Sequence, residues 1–169
     1  VITQDAEAQA AAAVAWFGRG DFKKAQAYAD ACAALNPKEA RAALVRANLS
    51  VDAGDGKGAL EALKVLEEQG LDGPDIQSLK ARAARVAGDF SLAISSLERA
   101  LEQDPSRGGL YHALIALLEA NNRLKEAYRW RKKAIEVDQA NLSLVSALLN
   151  GAERYSASLE EVLRWGELG

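Results

Sequence analysis

The sequence of 169 residues contains no methionine, one cysteine and three prolines, and aromatic residues make up only 6% of it. A single cysteine cannot form a disulfide within the chain, which excludes a disulfide-stabilised fold and favours a reducing compartment, the cytoplasm. A periplasmic or secreted chain that has lost its signal is the alternative. The absence of methionine, even at position 1, indicates a processed chain or a segment of a longer protein.

Long apolar runs and a strong charge excess are also missing. The longest unbroken apolar run, Ala10–Phe17, has eight residues, whereas a helix needs about 20 to span a bilayer. No membrane span is therefore predicted. The 24 acidic and 21 basic residues give a net charge of −3, and this balance disfavours a nucleic-acid-binding module. The N-terminus lacks the basic and apolar pattern of a secretory signal.

β-Branched residues are scarce, whereas residues that favour helices are abundant. Valine, isoleucine and threonine together number 15, against 35 alanines and 23 leucines. This composition favours helices and leaves few residues of the kind that stabilise strands. The length is that of one domain. An all-α fold is therefore predicted.

A 34-residue period runs through the sequence. Gly20, Gly54 and Gly88 are each followed by aspartate and recur at this spacing, and Asn122 takes the next place. Three sets of mostly small residues keep the same period and indicate close packing between helices. They lie seven residues before, five residues after and twelve residues after the Gly or Asn: Ala13, Ala47, Ala81 and Ile115; Ala25, Ala59, Ala93 and Ala127; Cys32, Leu66, Ala100 and Ala134.

Each feature of the period has a mechanical role in a pair of helices. Glycine or asparagine suits the left-handed backbone of a turn between helices, and the aspartate that follows can cap the next helix. Pro37 and Pro105 close two of the repeats, because proline cannot continue a helix. Two helices per repeat are predicted.

This pattern resembles the tetratricopeptide repeat (TPR), a 34-residue helix–turn–helix unit with glycine, alanine and proline at corresponding places. The resemblance implies a right-handed α-solenoid that forms a single domain over residues 1–169. Four full units are expected at about 6–39, 40–73, 74–107 and 108–141, with a partial fifth unit at 142–169. Some places depart from the TPR pattern. Gln9, Ala43, Gln77 and Tyr111 replace the expected tryptophan, Gly56 and Leu124 replace an aromatic residue after the turn, and Glu161 replaces an alanine.

The predicted first helix is apolar on nearly every side. After Glu7 and Gln9 it has no polar residue as far as Phe17, whereas the end of a solenoid needs a polar outer face. An upstream segment or a second copy of the chain is expected to cover it. The alternative is that so many alanines are tolerated in water.

No cofactor, metal site or catalytic residue is predicted. The stretch Gly54–Gly58 is rich in glycine, but a phosphate loop would need glycine at position 51 and Ser or Thr at position 58, where Val51 and Gly58 stand. A glycine-rich turn therefore explains this stretch. His112, the only histidine, has no second ligand with which to form a metal site, and is interpreted as a polar groove or surface residue. Cys32 is interpreted as an inert core thiol.

Basic residues concentrate in the run Arg123–Lys133, which has six of them against the single acid Glu126, with Tyr128 and Trp130 between. Nucleic acids and anionic surfaces are bound by such mixtures. The first interpretation is a solvated outer face on the second helix of the fourth unit. A docking patch is the alternative. Arg131 stands where TPR units often have an aromatic residue, which indicates unusual packing of this face.

The TPR resemblance places binding on the concave face, which the first helix of each unit lines. Asn48 and Arg82 occupy equivalent places there and are expected to lie side by side, where asparagine can bond a peptide backbone and arginine a carboxylate. The clamp of chaperone-binding TPR domains is absent, since Ala10, Val14, Val45, Asp75 and Leu79 stand at its places. The partner-binding residues that the resemblance implies are Arg41, Asn48, Ser78, Arg82, Arg85, His112, Glu119, Ser146 and Asn150.

The function that the resemblance implies is a protein–protein interaction module, a scaffold or adaptor for a protein or peptide ligand, with no catalysis in this segment. Small-molecule substrates and nucleic acid are disfavoured. The stretch Glu160–Glu167 resembles the junction after the TPR array in bacterial relatives of O-linked N-acetylglucosaminyltransferases, including SPINDLY-like proteins, except that Leu163 replaces a basic residue. The alternative is therefore the substrate-recruiting arm of a protein O-glycosyltransferase whose catalytic domain lies downstream.

Overall fold

The computed structural model describes residues 5–137 and residue 146. These residues form helices and turns and contain no strand, which confirms the prediction of an all-α fold. The predicted partial unit at 142–169 lies outside the described residues, apart from the helical Ser146. The helices are α1 (Ala6–Gly18), α2 (Phe22–Leu35), α3 (Ala40–Asp52), α4 (Gly56–Glu68), α5 (Pro74–Ala87), α6 (Phe90–Gln103), α7 (Gly108–Ala120) and α8 (Leu124–Val137).

The helices form pairs that repeat with the predicted 34-residue period. The first helices of successive pairs begin at this spacing, and so do the second helices. Within residues 5–137 there are four such pairs. The first helices begin at Ala6, Ala40, Pro74 and Gly108, and the second helices begin at Phe22, Gly56, Phe90 and Leu124.

The turn inside each pair has the same backbone structure. Gly20, Gly54 and Gly88 have φ between 77° and 80°, and Asn122 has φ of 57°, in the left-handed region that glycine and asparagine tolerate best. At each turn this residue donates its N–H to the carbonyl three residues earlier, and the next residue donates to the carbonyl five residues earlier. These two bonds form the Schellman motif, which satisfies the last carbonyls of the first helix.

Aspartate begins the second helix in three of the four pairs. The carboxylates of Asp21, Asp55 and Asp89 accept a hydrogen bond from the backbone N–H three residues later, at 3.1, 2.9 and 3.0 Å. A cap of this kind stabilises a helix by about 1 kcal/mol. Arg123 takes the fourth place, and its guanidinium binds the carboxylate of Glu126. The predicted capping is therefore confirmed at these three aspartates.

The periodic small residues form the core. All twelve residues of the three periodic sets are at most 4% exposed, so alanine at these places lets the helices approach closely. Contacts divide the chain into two compact units, residues 1–96 and 97–169. In the first unit, one cluster contains Ala13, Ala25 and Cys32, and a second contains Ala47 and Leu63. Assignment of the whole chain to a single domain stays a prediction.

Gly56 allows a close approach between α4 and α5. A Cβ atom at this position would lie 2.3 Å from the backbone nitrogen of Ala87 and 2.6 Å from the carbonyl oxygen of Ala83, both on α5. At the equivalent places of other pairs, Phe22 and Phe90 are 51% and 44% exposed. The missing aromatic residue at position 56 therefore has a steric cause.

Replacing Ala93 with leucine is expected to lower the free energy of unfolding by about 1–3 kcal/mol through overpacking. Ala93 is fully buried in α6, so the larger side chain would force its neighbours apart. Urea unfolding, followed by circular dichroism, measures the change. Ser95 is exposed on the same helix, and Ser95→Leu should alter stability by no more than about 0.5 kcal/mol. An unchanged unfolding midpoint for Ala93→Leu would contradict the repeat register.

Candidate functional site

Three first helices of the compact unit over residues 1–96 share an exposed face. α1 packs against α3, and α3 packs against α5. Val14, Asn48 and Arg82 occupy equivalent places on these helices, related by the 34-residue period. Val14 is 45% exposed, Asn48 is half-buried and Arg82 is exposed. We call these three residues the groove row. It presents an apolar side chain, an amide and a cation on successive helices.

The middle of the groove row combines a polar group with an apolar one. The Nδ2 atom of Asn48 donates to the carbonyl oxygen of Leu44 at 3.0 Å, one turn earlier on α3. This bond fixes the amide and uses only its nitrogen, so the Oδ1 atom remains an acceptor for a ligand. Leu44 is 38% exposed. A hydrogen-bond acceptor and an apolar contact therefore lie within one turn of α3.

Arg82 reaches from α5 to α3. Its Nη2 atom donates to Oδ1 of Asp52 at 3.0 Å, and Asp52 follows Asn48 by one helical turn. Exposed ion pairs of this kind contribute at most about 1 kcal/mol, so a ligand carboxylate can compete for the guanidinium. Arg85 is also exposed on α5 and takes part in none of the ion pairs among the described residues. This end of the face is positively charged.

Arg41 lies at the other end of α3, where carboxylates compensate its charge. Its Nε atom donates to Oε1 of Glu39 at 2.7 Å, and its Nη2 atom lies 4.0 Å from Oε1 of Glu7 on α1. The hydrogen bond with Glu39 raises the pKa of Arg41 and lowers the pKa of Glu39. The positive charge available to a ligand is therefore at the Arg82 and Arg85 end of the face.

Comparison with protein families identifies the architecture. A family model described as Tetratricopeptide repeat matches residues 17–83 and 85–150. Those two stretches make up well over half of the chain. The chain belongs to the tetratricopeptide repeat family. No curated protein matches it.

Solved structures share this TPR fold. The crystal structure of MamA protein has a TM-score of 0.76 at 15% identity, over 96% of this chain and 88% of that one. YrrB, described as a TPR protein with an unusual peptide-binding site, has a TM-score of 0.77 at 18% identity, over 98% of this chain and 84% of that one. MamA from Desulfovibrio magneticus RS-1 has a TM-score of 0.73 at 18% identity, over 82% and 78%. At these identities the likeness shows the fold.

For four of the predicted TPR groove residues, the role in partner binding stays a prediction. Ser78 is half-buried on α5. His112 is exposed on α7, with Nδ1 at 3.1 Å from the carbonyl oxygen of Gly108. Ser146 is exposed, and Asn150 falls outside the described residues. Their contact with a partner is therefore expected from the TPR offsets alone.

Glu119, another predicted TPR groove residue, is bound within its own helix pair. Arg131 of α8 donates to the Glu119 carboxylate on α7. The Arg131 side chain is 12% exposed and that of Glu119 is 32% exposed. Arg131 therefore fills, as a mostly buried cation, a place where TPR units often have an aromatic residue. A ligand that binds the Glu119 carboxylate would therefore compete with this guanidinium.

Sequence reasoning about the TPR groove omits Val14, Leu44 and Asp52 from the binding face. Val14 precedes Asn48 by one full repeat, so the period itself is the signal that identifies it. Leu44 precedes Asn48 by one helical turn on the same side. No sequence pattern identifies Asp52, because its contact with Arg82 depends on the distance between two helices.

The first TPR helix exposes an apolar side. Ala8, Ala11, Val14 and Ala15 are exposed on α1. That an upstream segment or a second copy covers them stays a prediction.

Cys32 is fully buried, its Sγ atom donates to the carbonyl oxygen of Ala6 at 3.2 Å, and burial raises the pKa of the thiol. The predicted burial of Cys32 is confirmed.

None of the helices within residues 5–137 combines the length and apolar character that a membrane crossing requires. The same part of the chain holds no group of three or more His, Cys, Asp and Glu side chains that could bind a metal ion.

The predicted resemblance to glycosyltransferases falls on residues 160–167. These residues lie outside the described part of the chain and beyond the TPR match, which ends at residue 150. The matched family and the similar structures named above are TPR proteins by description and give the glycosyltransferase alternative no support.

Proposed function

We propose that this chain binds an extended segment of a partner protein along the face of α1, α3 and α5, and that it acts as a scaffold without a catalytic step. The groove row is the observation that carries the proposal. Its apolar, amide and cationic side chains stand at equivalent places on packed helices, so a ligand that crosses the helices meets them in a fixed order. The description of YrrB as a TPR protein with a peptide-binding site supports a peptide as the ligand class.

Helix spacing sets the length of the segment. Packed helices lie about 8–10 Å apart, and an extended peptide advances about 3.3 Å per residue. About three peptide residues therefore correspond to each helix, and about six separate the contact with Val14 from the contact with Arg82. The ligand should have an apolar residue near Val14 and Leu44, main-chain contacts with Asn48 and an acidic residue near Arg82 and Arg85.

The face is organised before a ligand arrives. Buried residues on the same helices, such as Ala13, Ala47 and Ala81, hold the backbones together, and the Asn48 amide is fixed by its bond to Leu44. Binding to such a face requires little ordering of the protein, so more of the contact energy contributes to affinity.

Replacing Arg82 and Arg85 with glutamate is expected to change which peptides bind. A display library of random nine-residue peptides, selected on the unaltered chain, should enrich an acidic residue about six positions from an apolar one. The variant Arg82→Glu, Arg85→Glu should instead enrich lysine or arginine there, because the charge at this end of the face is reversed. The best peptide of the unaltered chain should bind this variant at least about tenfold more weakly.

A variant with the same change in charge supplies the control. Lys23 and Lys57 are exposed on α2 and α4, and Lys23→Glu, Lys57→Glu should alter the affinity by no more than about threefold, since distant exposed charges are screened by salt. Asn48→Ala should lower the affinity for every selected peptide to a similar extent, because it removes a contact with the main chain of the peptide. Enrichment of the same peptides by the unaltered chain and the Arg82→Glu, Arg85→Glu variant would contradict the proposal.

A further inference from the structure

Some cations in the basic run of α8 form ion pairs within the protein, and others do not. Arg123 binds Glu126 at 2.7 and 2.6 Å, and Arg131 binds Glu119. The Arg123 pair is local to the start of α8, whereas the Arg131 pair joins α8 to α7. Three others are exposed on α8 and take part in none of the ion pairs among the described residues. We call these the α8 row: Lys125, Arg129 and Lys133.

The α8 row follows one side of the helix. Its members are four residues apart, so their backbone positions are separated by about 6 Å along the axis. Like charges at this spacing repel one another and destabilise a helix. Glu126 offsets only part of this repulsion, because its hydrogen bond with Arg123 is the main cause of the lowered pKa of its carboxyl group and the charge of Arg129 is a smaller cause. An anionic partner would remove the repulsion that the fold itself leaves.

A cavity of about 250 Å³ opens beside the α8 row. The Nε1 atom of Trp130 donates to Oε1 of Glu98 on α6 at 3.2 Å, and the Nζ atom of Lys133 lies 4.1 Å from the centre of the Trp130 ring. The carboxylates that border the cavity are therefore engaged by neighbouring donors. Among the described residues Arg129 forms no hydrogen bond or ion pair, and only its charge acts on Glu126. The cavity is lined by Glu98, Glu126, Arg129, Trp130 and Lys133.

We infer that the α8 row and this cavity bind an acidic segment of a protein partner, through residues distinct from the groove row. Alternate side chains of an extended peptide lie on one side and are about 6.6 Å apart. This distance matches the spacing of the α8 row closely enough for three alternate carboxylates to meet Lys125, Arg129 and Lys133. Side chains between the carboxylates would face away from the helix.

The same contacts argue against nucleic acid and against an anionic membrane. Single-stranded nucleic acids are bound by aromatic rings with an open face, whereas Trp130 is approached by Lys133 and lies 6.0 Å from Tyr111 in a tilted arrangement. Anionic lipid surfaces are bound by clusters of about four to eight basic residues. The α8 row has three, and it borders two carboxylates. An acidic protein segment fits this mixture better.

A labelled peptide tests the inference directly. A nine-residue peptide of alternating glutamate and serine should bind the full chain in 0.1 M salt, measured by fluorescence anisotropy. Neutralising the row with Lys125→Gln, Arg129→Gln, Lys133→Gln should weaken this binding by about tenfold or more, because three charge contacts are lost. The control Lys23→Gln, Lys38→Gln, Lys57→Gln removes the same charge from other exposed lysines, and it should keep the affinity.

A charge exchange keeps the test valid if neutralisation perturbs the helix. The variant Lys125→Glu, Arg129→Glu, Lys133→Glu should lose the glutamate–serine peptide and bind a lysine–serine peptide of equal length. The inference would be overturned if the control variant lost as much affinity for the acidic peptide as the variant with the neutralised α8 row. It would also be overturned if the unaltered chain did not bind the peptide. Row-dependent binding of an oligonucleotide or of phosphatidylserine vesicles that exceeds peptide binding would also overturn it, and would assign the α8 row to that ligand.

Discussion

Replacing Gly56 with alanine is expected to lower the free energy of unfolding by about 3 kcal/mol or more. The added Cβ atom would lie 2.3 Å from the backbone nitrogen of Ala87 and 2.6 Å from the carbonyl oxygen of Ala83. Both are backbone atoms of α5, which no side-chain rotation can move, so α4 and α5 would have to separate. Thermal unfolding should show the change as a fall in Tm of roughly 6–12 °C.

Gly109 provides the matched control for Gly56. It lies in α7, where an added Cβ atom would have no neighbour within 4 Å, and its φ is not positive. Gly109→Ala should therefore leave the stability unchanged or raise it by up to about 1 kcal/mol, because alanine favours helices more than glycine does. Similar unfolding curves for Gly56→Ala and the unaltered chain would contradict the close approach of α4 and α5.

Replacing Glu119 with leucine is expected to lower the free energy of unfolding by about 3 kcal/mol, because it leaves a mostly buried cation without its partner. The guanidinium of Arg131 is mostly buried, and Glu119 is the carboxylate that it binds. The reverse change, Arg131→Phe, should cost less, because the Glu119 carboxylate is about one-third exposed and keeps contact with water.

The double variant distinguishes a charge effect from a packing effect. Glu119→Leu with Arg131→Phe replaces the ion pair by apolar side chains and should recover stability to within about 1 kcal/mol of the unaltered chain. Urea unfolding of all four chains gives the coupling between the two positions. If the losses of free energy of unfolding in the two single variants simply add in the double variant, the ion pair does not couple α7 and α8.

The turns inside the helix pairs could be predicted from the sequence because their signals are local. Gly20 with Asp21 specifies a left-handed turn and a cap within two residues, and the structure places both there. The periodic alanines likewise identify the core, since a place such as Ala93 recurs in every repeat. The period also identifies the position of Asn48 and Arg82 on one face. These features depend on neighbours along the chain or on exact recurrence.

Contacts between helices could not be predicted in the same way. The Arg131–Glu119 pair, the Arg82–Asp52 pair and the approach of α5 to Gly56 depend on distances between elements. Residue type gives only a partial signal for these contacts, because Arg131 and Gly56 each stand where TPR units often have an aromatic residue. Each replacement marks a place where packing differs from its equivalents, but the partner becomes evident only in three dimensions.

The turns inside the helix pairs have a consequence for how such a chain can evolve. In each of the first three pairs, the residues that end one helix and begin the next lie within a few positions of each other. Any gene segment that encodes 34 consecutive residues of this pattern therefore encodes a complete set of signals that begin and end helices, wherever the boundaries of the segment fall. Duplication of such a stretch would add a finished pair of helices. The new copy could then change at exposed places such as 14, 48 and 82, and acquire a different ligand while its turns stay intact.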